Sequence, residues 1–425
     1  MPMKPYCINT PLLAIIVEGF FSRLSFGLIT FALPLYAHHL GLSITEIGFL
    51  VSLNLAVALA LKPAMGWIAD RFGLKRSLTA AIGLRSLVAL LLAFAGSPWQ
   101  LYAIRTVHGM SISIRDPAVN ALIAVHGGKK TIASAFAWYQ TAKTVAGSVG
   151  KAVAGILLTL TASNFSLVFL VAALLSVLPV YLVVRYIQEG NEVEDEAAQN
   201  DLKTLAIPHS QEAQASTDGM AARPVVLPFM GLGFLISGTA EMLHGLFPIL
   251  ATQYFGLSEA ETGIIYMIST LAVLISGPLF GWLADNISRK LVLMVRSSAN
   301  ILSSILYLAV PNFPGIAVSR VVDDMGKAAF RPAWGAWMAY LSDFDKRRRA
   351  KTMGLISMGD DAGEIAGPII AGFLWSTWGL PVALGARVLF AIASEIYAVV
   401  MTHSLKKQEN YHLRCKPATM MLLEK

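Results

Sequence analysis

Long apolar stretches separated by short polar breaks run along most of the chain, and their periodicity is helical. Spans are predicted at 11–37, 45–66, 77–96, 98–124, 131–160, 163–187, 224–250, 260–283, 289–310, 313–341, 348–375 and 379–403. Roughly 20 apolar residues cross a bilayer core, so each is a membrane-spanning candidate. The pattern lapses at 188–223, where Glu192, Glu194, Asp195, Glu196 and Asp201 precede the polar run QEAQASTDG. Such a segment cannot bury enough apolar surface to fold, which predicts a disordered linker. The expected architecture is an all-α membrane protein of twelve transmembrane helices: a six-helix half over 1–187, the linker 188–223, a second six-helix half over 224–403, and a tail over 404–425.

The connectors divide into two kinds. Those at 38–44, 97–98, 161–164, 252–261, 311–315 and 376–380 contain no Lys or Arg. The alternate set holds Arg71, Lys75 and Arg76, then Lys129 and Lys130, then Arg289 and Lys290, then Lys346 to Arg349 and Lys351. By the positive-inside rule, both termini, the linker and the tail should be cytoplasmic, in a bacterial inner membrane. The first span is too long, and too soon followed by a second, to be a cleaved signal peptide.

Composition sharpens this picture. Hydrophobic residues make up 56% of the 425 and charged residues only 14%, where a soluble chain is roughly a quarter charged; a soluble enzyme is excluded. The net charge of +7 would suggest nucleic acid in a soluble domain, but here the cations gather on one membrane side, and no nucleic-acid partner is expected. Cys7 and Cys415 lie near opposite ends, leaving no disulfide framework or cysteine metal cage. His38 and His39 lack a third ligand. No metal and no cofactor are expected.

The second half repeats the first. An offset of 215 aligns Gly41-Leu42-Ser43 with Gly256-Leu257-Ser258, Gly66-Trp67-Ile68-Ala69-Asp70 with Gly281-Trp282-Leu283-Ala284-Asp285, and Arg105 with Arg320; after the fourth span the offset becomes 217, pairing Gly150 with Gly367 and Gly155 with Gly372. An even number of spans per half makes this a parallel duplication. Solute sites in such folds lie near the midplane between halves that rock against each other.

Gly66-Trp-Ile-Ala-Asp70-Arg71-Phe-Gly73-Leu-Lys75 resembles the loop 2–3 signature of the major facilitator superfamily, with Leu74 in place of its first basic residue. The partner in loop 8–9, Gly281 to Lys290, keeps Asp285, Arg289 and Lys290 but has Asn286 and Ser288 where an Arg and a Gly are expected. The resemblance covers essentially the whole chain and implies a transporter of the prokaryotic type whose two loops form a cytoplasmic gate. The residues fit that role physically: Gly66 and Gly281 permit close helix approach, and Asp70 can meet cations or a helix N-terminus. A tight turn alone is the plainer reading.

Ionisable side chains inside the hydrocarbon cost from about 2.5–3.5 kcal/mol upward. Span 10 carries Arg320, Asp323, Asp324, Lys327 and Arg331 in one stripe about 100° wide. Span 4 repeats the idea with Arg105, His108, Arg115 and Asp116, span 11 with Asp360, Asp361 and Glu364, and span 5 with Lys143 and Lys151. Lys143 aligns with Asp360, so equivalent positions carry opposite charge. These groups should face a wet cavity, where Lys143, Asp360, Asp361 and Glu364 are expected to face one another on the path of solute or proton. The plainer alternative is structural pairing, with Asp323 and Asp324 reaching Lys327 within one helix. Glu18 and Arg23 in span 1 and Glu241 and His244 in span 7 are further candidates, and Glu18, Glu241 and His244 could carry a coupling proton. Lys62, Arg85 and Arg296 are read as snorkelling towards the surface.

Arg105-Thr-Val-His108-Gly109 resembles the span 4 signature of proton-coupled members, with His108 where Gln is expected, and implies a proton-linked Arg105. The span 5 antiporter signature is absent: Lys151 stands where Pro is expected, and a good copy, Gly363 to Gly372 with Pro368, lies in span 11. The expected function is secondary transport, proton-coupled, of a small solute. Cations in the first half (Arg23, Lys62, Arg85, Arg105, Arg115, Lys143 and Lys151) favour an anionic or zwitterionic one. The alternatives are a drug, metabolite or siderophore-type carrier, or a transporter-like receptor or scaffold. Phosphate-loop, zinc-protease and serine-nucleophile motifs are absent, so no enzyme is expected. The partners are solute, protons and lipid, and the unit a monomer.

Overall fold

The computed structural model describes residues 10–126, 132–187, 226–286, 289–342 and 349–414, and these are helical with short turns. The first half contains α1 (Thr10–His39), α2 (Ile44–Phe72), α3 (Leu74–Phe94), α4 (Pro98–His126), α5 (Ile132–Leu160) and α6 (Phe165–Tyr186). The second contains α7 (Val226–Glu241), α8 (Glu259–Asn286), α9 (Arg289–Ala309), α10 (Phe313–Ser342), α11 (Arg349–Trp378) and α12 (Leu380–Arg414). The linker expected at 188–223 lies outside the described residues. So does the end of the tail, although α12 runs on to Arg414, beyond the predicted span end at 403.

Seven of the described helices are apolar enough to cross a membrane by length and composition alone. Those outside that set include α4, α10 and α11, which carry the intramembrane charges, so their polarity reflects content and not a different architecture.

Local chemistry repeats with the sequence. Ser43 and Glu46 open α2 with a reciprocal cap: the Ser43 hydroxyl accepts from the Glu46 N–H, and the Glu46 carboxylate accepts from the Ser43 N–H. Ser258 and Glu261 do the same at α8. Gly41 and Gly256 turn the chain before these caps at φ 87° and 69°, a region that favours glycine.

The seventh span departs from expectation. α7 stops at Glu241, and after a turn the chain continues as Phe247–Ile249 and a π-helical turn at Leu250–Tyr254. Pro248 has no N–H to offer the carbonyl four residues back, and Gly245 lies against Val51 of α2, where a Cβ would collide. Glu241 and His244 therefore sit at a helix break.

The halves meet through two equivalent pairings, α2 against α11 and α5 against α8. Towards the loops free of Lys and Arg, one apolar core runs through both, joining Leu28, Phe31 and Leu158 to Phe247, Tyr266 and Leu384. Towards the basic loops each half keeps its own: Ile15, Leu78, Leu122 and Tyr139 in the first, Phe229, Ile236, Trp334 and Ile356 in the second.

Candidate functional site

In the second half, Asp323 on α10 is fully buried between two arginines from neighbouring helices. Arg387 of α12 donates to it at 2.6 Å and Arg296 of α9 at 3.3 Å. Arg387 is held by Asn300, Ser303 and the carbonyl of Thr239. Arg296, read as snorkelling, is instead 1% exposed. One helical turn after Arg320, Asp324 pairs with it at 2.9 Å and accepts from Ser269. Arg320 also meets His244 Nδ1 at 3.0 Å and lies over the Phe247 and Tyr266 rings, 4.7 and 5.0 Å from their centroids. Lys327 reaches across to Glu241 at 2.6 Å. The alternative pairing of Asp323 and Asp324 with Lys327 along one helix is thus replaced: Asp324 pairs within α10 but with Arg320, while Asp323 and Lys327 find their ionic partners on α9, α12 and α7, because a buried charge is best satisfied where helices meet and water is excluded.

In the first half, Glu18 of α1 is fully buried and accepts three times from Arg115 of α4, at 2.9, 3.0 and 3.3 Å; Arg115 also donates to the Tyr139 hydroxyl at 2.9 Å. Lys143 lies over the Tyr139 ring at 5.0 Å, and Asp116, beside Arg115 at 3.7 Å, is half-exposed. Arg85, also read as snorkelling, is buried: it donates to Ser22 at 2.7 Å and shares the Phe26 ring with Arg23. Arg105 fastens α4 to α2 by donating to the carbonyls of Leu50 and Val51 at 3.1 and 2.8 Å and to Asn54. His108 is fully buried against Phe26, with Nδ1 at 3.3 Å from Arg105 and Nε2 without a partner. Gly109 completes the segment, since a Cβ there would come 2.6 Å from the Asn54 carbonyl.

Between the halves, Lys62 of α2 meets Asp361 of α11 at 3.9 Å, both half-buried, so Lys62 has an ionic partner and does not simply snorkel. Lys151 of α5 lies 4.0 Å over the Tyr266 ring of α8, and Ser148 is hydrogen-bonded to Thr270. Asp360 accepts from Ser237 at 3.1 Å and from the Trp334 indole at 2.5 Å, both in its own half. Lys143 and Asp360 therefore take their described partners on opposite sides of the interface. Glu364 is half-buried on α11; the Arg331 side chain lies outside the described residues.

Of the loop signatures, Gly73 joins α2 to α3 at φ 88°, Arg71 is exposed and Lys75 half-buried. Side-chain positions at Gly66, Asp70, Gly281, Asp285, Arg289 and Lys290 lie outside the described residues.

Sequence reasoning missed the aromatic partners. Tyr139, Tyr266, Phe247 and Trp334 read as ordinary core residues in apolar helices, and only their spatial conjunction with Lys143, Lys151, Arg320 and Asp360 marks them. Among the described residues no group of His, Cys, Asp and Glu could hold a metal ion.

A family model described as Major Facilitator Superfamily matches residues 16–237 and 229–414. The chain is 24% identical over 375 residues to multidrug resistance protein 1 of Bacillus subtilis (strain 168), covering 86% of this chain and 90% of that one. It is 24% identical over 393 residues to multidrug resistance protein MdtG of Erwinia billingiae (strain Eb661), covering 89% and 90%. Among solved structures, the nucleoside transporter NupG superposes with a TM-score of 0.70 at 15% identity, covering 94% of this chain and all of that one.

Proposed function

Because the chain belongs to the Major Facilitator Superfamily, we propose that it is a proton-coupled secondary transporter moving a small anionic or zwitterionic organic solute by alternating access. The carrying observation is the concentration of charge between the halves. Around His244 lie Lys327, Lys151, Arg320 and Arg23, against which Glu241 and Asp324 supply the nearby carboxylates. Positive charge is in excess there, and a solute with a negative group would neutralise it.

The proton path in this reading runs through Glu18, Arg115 and Asp116 in the first half and Glu241, His244 and Lys327 in the second, with Arg105 and His108 between them. Lys143, Asp360, Asp361 and Glu364 line the passage, and the loops carrying Asp70 and Asp285 gate it. Orientation follows from the basic loops: termini and linker cytoplasmic. With the shared apolar core at the opposite end, the described conformation would open its solute path to the cytoplasm. The working unit is one chain, since the path lies between its own halves.

A second reading, export of drugs, is favoured by the names of the two multidrug resistance relatives. Reconstituted vesicles separate the two: concentrative movement of anions that responds to an imposed pH gradient supports the first, and movement restricted to lipophilic cations supports the second.

A further inference from the structure

Lys151, half-buried, stands apart from the other charges inside the fold. It lies about 14 Å along α5 from the end at Leu160, deep in the apolar layer, and its described partner is the face of Tyr266 at 4.0 Å. Among the described residues no carboxylate lies within ion-pair distance of it. The charges nearest in influence are Arg320, Asp324, Arg23 and Lys327, three of the four positive. Asp324 is already engaged by Arg320 and Ser269. The same tyrosine ring also contacts Arg320, 5.0 Å from its centroid, whose Nη1 is buried with no hydrogen-bond partner. The repeat makes the position stranger still: Lys151 aligns with Pro368 and Tyr266 with Val51, so the equivalent place between α2 and α11 holds neither cation nor ring. A lysine that the fold does not require, at a depth where it is costly, needs a ligand.

We propose that Lys151, with Arg320 beside it, forms the subsite for the anionic group of the transported solute, a carboxylate or phosphate, and that Tyr266 holds the ammonium when the solute is absent. This rests on the anionic reading above and adds its location. The ring and the anion compete for one ammonium. Because Lys151 belongs to α5 and Tyr266 to α8, binding withdraws a link between the halves at the place where they must part.

The test is thermal unfolding of the purified full-length protein, at fixed ionic strength, with acetate, benzoate, succinate or inorganic phosphate, the first three compared with acetamide, benzamide and succinamide. At least one anion should raise the unfolding midpoint by about 2 °C or more where neutral amides do not. Lys151→Gln should abolish that rise, Lys151→Arg should keep it, and Tyr266→Leu, by freeing the ammonium, should enlarge it. An anion effect that survives in Lys151→Gln, or shrinks in Tyr266→Leu, overturns the subsite and leaves the anionic reading standing. If no anion exceeds the amides in the unmodified protein, both fall.

Discussion

Gly155 on α5 presses against the carbonyl of Glu259, the first residue of α8, and Gly372 on α11 presses in the same way against that of Ile44, the first residue of α2. The repeat relates both members of each contact, since Gly155 aligns with Gly372 and Ile44 with Glu259. Gly48 and Gly263, likewise equivalent, pack on Pro368 and Ala152. Four glycines thus close the same end of the molecule twice over, each where a Cβ would meet backbone.

Gly155→Val and Gly372→Val should therefore force the halves apart at that end while each half stays folded. Spin labels on cysteines at Gly96 and Pro311, equivalent loop positions, report the separation by electron–electron distance measurement. The distribution should lengthen by several ångström in either variant and stay put in Gly83→Val, a site with open space around it.

Lys62 and Asp361 link the halves at 3.9 Å on one interface only, because their repeat equivalents are Gly277 and Thr144. A half-exposed pair of this kind contributes about 0–1 kcal/mol to stability, so Lys62→Asp and Asp361→Lys should each leave folding nearly unchanged while slowing transport. The swapped double variant should recover most of the rate. Transport kinetics of the four proteins decide it; a double variant no better than the singles would mean that the pair does not set the motion.

The Glu18–Arg115 pair is a different case. Both groups are almost wholly buried, and removing one leaves the other uncompensated at a cost of about 3–5 kcal/mol. Glu18→Ala should lower the unfolding midpoint steeply. Tyr139→Phe, which removes one neutral partner of Arg115, should cost about 1 kcal/mol. Denaturation of the purified variants measures both, and equal small effects would remove the pair from the framework of the first half.

The sequence reading reached most of the fold because hydrocarbon leaves a chain few options: every span must satisfy its own backbone, so apolar length alone locates the helices to within a few residues. It failed at Gly245-Leu-Phe-Pro248, where tertiary contact with α2 decides that the break is a turn and not a kink. Charge content was legible and charge pairing was not. Arg85 and Arg296 looked like residues reaching for the surface, since depth along a tilted, packed helix is not encoded in residue spacing. Asp323 found its arginines on α9 and α12, separated from it by up to 64 residues, and no one-dimensional pattern joins them.

Topology rests on the basic connectors, and one substitution tests it. Asp195→Cys, in the linker, should resist a membrane-impermeant thiol reagent in intact cells and react after the membrane is opened. Labelling from outside would invert the orientation of every helix.

The central claim, that this chain couples proton movement to passage of an anionic or zwitterionic solute between its halves, is tested most directly by solute-induced proton flux. Protein reconstituted into sealed vesicles with a trapped pH indicator is offered anionic, zwitterionic, neutral and cationic solutes in turn. The account predicts that an anionic or zwitterionic solute elicits a pH change in these vesicles, absent from protein-free ones and lost in Arg105→Ala. Proton flux driven by cations alone, or solute accumulation indifferent to the pH gradient, would contradict it.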